Sequence, residues 1–163
     1  MMFNYKGITS NLTFGQESIS LLKKTIDTIY DYFNINDIFP EFEIIIHPNY
    51  ENNPNISPET RKGLIMLNTA ICDNEHYDYY QQITWQFSHE LVHVCKGFKK
   101  HRMDWKYLPD DDEEEILAGA IAIRIIKAFC PNYAYTEKYN KSNLKQCEEK
   151  AELLKNSLHI LPL

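Results

Sequence analysis

His89, Glu90, Leu91, Val92 and His93 spell H-E-x-x-H. Residues four apart on a helix stand one above the other on the same face. His89 and His93 can therefore aim two imidazoles at one Zn2+. Glu90 is one step further round, at the edge of that face, where its carboxylate can act as base toward an attacking water. Two metal ligands and a general base are the core of zinc-assisted peptide hydrolysis. Five residues recur by chance, so the remaining elements must supply the third ligand and the cleft.

A catalytic zinc has three protein ligands and one open position. The next helix opens with Glu113, Glu114 and Glu115. Glu115 is favoured as the third ligand, because Ala118, Gly119 and Ala122 follow it on the same helical face. Small side chains there let two helices approach closely, as a shared metal requires. Glu114 comes next, since its face also carries bulky Ile121 and Ile125, and Glu113 is third. Each acid alone also suits the positive end of a helix dipole.

The elements that must position these groups are legible from periodicity. Residues 17–33 carry Ile19, Leu22, Ile26, Ile29, Tyr30 and Phe33 at helical spacing, and residues 34–40 break the pattern. Residues 42–47 (FEIIIH) and 63–70 (GLIMLNTA) read as strands. Residues 48–58 are rich in Pro and Asn and read as a loop. Residues 77–96 form the predicted site helix, with Gly97 as its C′ residue. Asp110, Asp111 or Asp112 can N-cap a helix over residues 113–129. Residues 131–140 are irregular, and residues 142–158 form a last amphipathic helix. The expected fold class is α+β, a small sheet packed against a mainly helical second half, in one domain spanning residues 1–163.

Bulk properties narrow the function classes. The net charge of −6 argues against nucleic acid or an anionic membrane as the general partner. No apolar run is long enough to span a bilayer. Residues 1–15 lack an unbroken apolar core, so a secretory signal is not expected and the location reads as cytoplasmic. The four cysteines, Cys72, Cys95, Cys130 and Cys147, form no C-x-x-C pair, and reduced thiols are expected. The basic stretch Lys96, Lys99, Lys100, Arg102 and Lys106 reads as a solvated loop. Cys95 reads as core. His76, His101 and His159 read as surface residues.

Residues 84–93 (TWQFSHELVH) match the pattern T-x-x-x-S/A-H-E-x-x-H, and residues 115–122 (EILAGAIA) follow on the next helix as E-x-x-A-x-x-x-A. Together these resemble the gluzincin-type metallopeptidases, and among them the ImmA/IrrE group. The resemblance covers roughly residues 15 to 130. It departs from the group's E-x-x-A-N-x-F-A pattern at Gly119, where Asn is frequent, and at Ile121, where Phe is frequent. The resemblance implies a zincin-like fold, Zn2+ held by His89, His93 and Glu115, and Glu90 as base. It further implies a selective protein substrate of the helix-turn-helix, DNA-binding repressor class.

Several expectations depend on tertiary placement. His101, Tyr107 and His47 are candidate donors to a developing oxyanion. The strand at residues 64–68 is a candidate sheet edge on which an extended substrate can add as another strand. The alternative to an enzyme is a non-catalytic zinc-binding regulatory or interaction module on the same scaffold. The intact Glu90 weighs against it, because a structural site needs no base.

Overall fold

Met2–Tyr5 (β1) and Ile8–Thr13 (β2) pair as an antiparallel hairpin that the sequence reading did not anticipate. The computed structural model describes residues 2–35, 44–48, 59–61, 64–67, 79–101, 112–135 and 143–160. At the hairpin turn Lys6 and Gly7 have φ of 49° and 83°. This left-handed pair matches strand twist in a two-residue loop. Glycine adopts it freely. Lys6 is anchored there by its Nζ, 2.7 Å from Asp27 Oδ1 on the following helix. The Tyr5 hydroxyl donates to the same carboxylate at 2.9 Å.

That helix, Gln16–Tyr32 (α1), agrees with the predicted span to within one residue at each end. It buries Leu21, Leu22, Ile26, Ile29 and Tyr30. It ends because Asn34 turns left-handed at φ 55°. The Asn34 N–H then donates to the Asp31 carbonyl at 3.1 Å and the Ile35 N–H to the Tyr30 carbonyl at 2.8 Å. These are the two bonds of a Schellman stop, for which Asn is a regular substitute for Gly.

Ile44–Pro48 (β3), Glu59–Arg61 (β4) and Leu64–Leu67 (β5) complete a mixed sheet of order β1-β2-β3-β5-β4. β2 and β3 pair in parallel, as do β3 and β5, while β4 runs antiparallel to β5. Ile8, Ile46, Ile65 and Leu67 are buried, whereas Ile45 and Met66 are half-buried, so one face of the sheet meets the core. Ser10 is buried in register with Ile46 without being orphaned. Its hydroxyl donates to the Ile46 carbonyl at 2.8 Å and accepts from the Leu12 N–H at 3.0 Å.

The strand expected at the sheet edge is not there. β5 is paired on both sides, by β3 and by β4, and among the described residues the outermost strands are β1 and β4. β4 was missed because Glu59, Thr60 and Arg61 are too few and too polar to show a strand pattern.

Tyr79–His101 (α2), Asp112–Phe129 (α3) and Leu144–Leu153 (α4) form the helical half. α2 packs on α1, α3, β4 and β5, and α3 packs in turn on α4. Every residue from 82 to 95 is buried, so α2 is the central helix rather than a surface amphipath. Its buried hydroxyls are satisfied locally: Thr84 donates to the Tyr80 carbonyl and Ser88 to the Thr84 carbonyl, each at 2.7 Å. Gly97 does not end the helix, which continues to His101. A lone glycine costs about 1 kcal/mol relative to Ala in a helix, too little to stop one with good formers on both sides. α4 is shorter than predicted and passes into turns after Leu153. Leu154 and Leu158 still reach the core as the helical register required.

The architecture is therefore α+β, with one contiguous cluster of buried side chains drawn from both halves. Among the described residues, no helix is long and apolar enough to cross a membrane.

Candidate metal centre

α2 and α3 cross so that three side chains converge. His89 Nε2 and His93 Nε2 lie 3.2 Å apart. Glu115 Oε1 is 3.0 Å from His89 Nε2, and Glu115 Oε2 is 3.0 Å from His93 Nε2. The imidazoles meet edge to face, with centroids 4.8 Å apart at 72°. With one ligand atom taken from each residue, the three atoms lie within 4.8 Å of one another, close enough to share one ion. Two imidazole nitrogens and a carboxylate oxygen also form a donor set suited to a divalent transition ion. The three residues can hold a metal, and the Glu115 placement agrees with the favoured reading of the sequence.

The histidines are buried, at 6% exposure for His89 and 7% for His93. Burial pushes the Glu115 carboxyl up, but hydrogen bonds from His89 and His93, and their charge, outweigh it and hold the group well below the usual carboxylate range. Glu115 is thus ready as an anionic ligand.

The other two acids of the cluster separate cleanly. Glu113 is exposed. Glu114 is buried but lies on the far side of His93, where its Oε2 is 3.0 Å from Nδ1. Being a carboxylate, it accepts and the ring N–H donates. Consecutive helical residues point about 100° apart, which lets Glu114 and Glu115 reach two sides of one imidazole. Glu90 follows His89 on α2 and is 5% exposed.

α3 does pack closely on α2, as the small residues after Glu115 suggested, but Gly119 serves a second neighbour. Gly119 admits α4 rather than α2, because its backbone lies against Cys147. Beside His89 and Glu115 this junction leaves a small pocket, partly open to solvent, walled by Trp85, Ile123, Leu144 and Cys147. Trp85 stacks on Tyr135 with centroids 5.1 Å apart and planes 19° apart. Burial raises the Tyr135 pKa, and Glu148 adds to the effect through its charge and a hydrogen bond. The sequence offered one signal for this wall: Trp85 is four residues before His89, on the same face.

Other expected groups fall elsewhere. Tyr107 and His76 lie outside the described residues, as do Cys72, Arg102, Lys106, Asp110 and Asp111. His47 stands on β3 and His101 ends α2. Cys95, Cys130 and Cys147 are buried, and His159 is exposed. Comparison of the chain with protein-family models, curated proteins and solved structures found no match.

Proposed function

We propose that this chain is a zinc-dependent metallopeptidase of the zincin type, akin to the ImmA/IrrE group. The observation that carries the reading is the convergence of His89, His93 and Glu115, from two helices, with Glu90 buried at the position after His89. Imidazole, imidazole and carboxylate form a common catalytic zinc set, whereas calcium and magnesium favour oxygen ligands throughout. Zinc, when bound, would polarise the scissile carbonyl and bring the pKa of a water to about 7.

The chain's own residues do the rest. Glu90 takes the proton of the attacking water and returns it to the leaving amine. At 5% exposure it has little bulk solvent with which to exchange that proton. Trp85, Ile123 and Leu144 give the cleft an apolar wall beside the ligands. Among the described residues β4 is an outermost strand of the sheet and lies beside α2, so an extended peptide can add to its outer edge by backbone hydrogen bonds. The resemblance of residues 84–93 supports a selective protein substrate, a DNA-binding repressor of the helix-turn-helix class.

Metal analysis combined with a cleavage assay tests the proposal. Protein purified without added zinc should carry about one zinc per chain, the occupancy of a three-ligand site. Glu90→Gln should keep the metal and lose about 10²–10⁴-fold in turnover of a repressor-class substrate. A metal-free wild type, or full activity in Glu90→Gln, defeats the reading.

A further inference from the structure

We propose that Glu114 is a positioning residue for the metal centre, acting through His93; the inference rests on the metal reading above. Three observations carry it. The Glu114 carboxylate is 3.0 Å from His93 Nδ1, and residue and partner are 21 positions apart, so the contact is tertiary. Both side chains are buried, with Glu114 at 9% and His93 at 7% exposure. And the other nitrogen of the same ring, Nε2, is the one that faces His89 and Glu115.

A neutral imidazole carries its proton on one nitrogen and its lone pair on the other. A carboxylate at Nδ1 can only accept, so it holds a proton there; when the ring gives up its Nε2 proton to an ion, the remaining proton stays on Nδ1 and the lone pair is at Nε2. It also fixes the plane of the ring, which two bonds in the His93 side chain would otherwise leave free to turn. The negative charge of Glu114 makes the imidazole a better donor. Glu114 therefore tunes the metal without touching it. Its first-turn place at the start of α3 is not by itself the reason for an acid at this position, because exposed Glu113 meets the helix dipole equally well.

Zinc affinity, measured by competition with a chelator of known strength, tests this without any substrate. Glu114→Ala should weaken zinc binding about 10- to 100-fold. Glu114→Gln keeps an acceptor oxygen without the charge and should recover a large part of the loss. Loading with Co2+ should give the same ligand-field bands in wild type and both variants, since the ligand set is unchanged. Thermal melts of the metal-free proteins identify any variant that fails to fold, and the near-isosteric Gln variant keeps the test open if the Ala variant does. Affinity of Glu114→Ala within about twofold of wild type overturns the inference. So does a changed Co2+ spectrum in Glu114→Gln, which would make Glu114 a ligand. If wild type binds zinc and Glu90-dependent turnover is seen while Glu114→Ala binds equally well, this inference alone falls. If wild type binds no zinc, it falls together with the metal reading.

Discussion

Gly119 on α3 and Cys147 on α4 touch so closely that a Cβ added to Gly119 would lie 2.5 Å from Cys147 Sγ and 3.2 Å from Cys147 Cβ. Real side chains do not approach to 2.5 Å, so the two helices can meet at this distance only with glycine here. The junction matters to the site because Gly119 lies one turn beyond Glu115 and both border the same pocket.

Gly119→Ala should therefore destabilise the protein by about 1–3 kcal/mol through overpacking, although an exposed helical site would gain up to about 1 kcal/mol from the same change. Adding Cys147→Ala removes the sulfur and should restore most of the loss. Urea unfolding of the two single variants and the double variant measures the coupling. A strictly additive double variant would show that the helices separate instead of clashing.

Ligand removal should be sharply graded. His89→Ala with His93→Ala should abolish stoichiometric zinc. Glu115→Gln should weaken zinc binding far more than Glu113→Gln, because Glu115 faces both imidazoles at 3.0 Å and Glu113 is exposed. Equal effects in the chelator assay would assign the third ligand wrongly.

Cys130 supplies a pH signature. Burial pushes its thiol from the ordinary 9.0 up to about 11. The folded chain holds the proton where the unfolded chain has lost it, so the contribution to stability is complete below 9.0 and disappears as pH rises toward about 11. The urea midpoint of wild type should fall more steeply over that window than that of Cys130→Ala. Parallel curves would remove Cys130 as the cause. Native Cys130 should also alkylate slowly, since the thiolate is the reactive form.

Met66→Pro should unfold the protein instead of selectively blocking substrate. Met66 lies in β5, in register with His47 on one side and Glu59 on the other. Proline removes a ladder donor, and central strands do not accept it. A loss of at least about 1–3 kcal/mol is expected for the broken bond alone, read from thermal melts followed by circular dichroism. Wild-type stability would mean that β4 and β5 are not held as a pair.

Wherever the information was local, the sequence by itself was enough. The i, i+4 spacing put His89 and His93 on one face whatever the rest of the chain did. Apolar periodicity located α1, because a helix that must bury a stripe repeats its apolar residues at helical spacing. Helix ends were less secure: Gly97 carried a stop signal, yet α2 continues to His101 because one glycine costs a helix little.

What only the tertiary structure decided was rotation and pairing. Glu113, Glu114 and Glu115 are chemically alike and differ by about 100° per residue around the helix. Which of them meets the metal ligands depends on how α3 is turned against α2, and that is set by packing on both sides, including the contact of Gly119 with Cys147. The turn of α3 gives Glu115 the inner side of His93, Glu114 the outer side and Glu113 the solvent. Strand order was hidden for the same reason. β4 is three polar residues whose identity as a strand comes from the backbone of β5 beside it, and the pairing of β5 on both edges joins β4, which immediately precedes it, to β3 from further back in the chain. Side-chain pattern records which face of a segment is buried; it does not record which neighbour buries it.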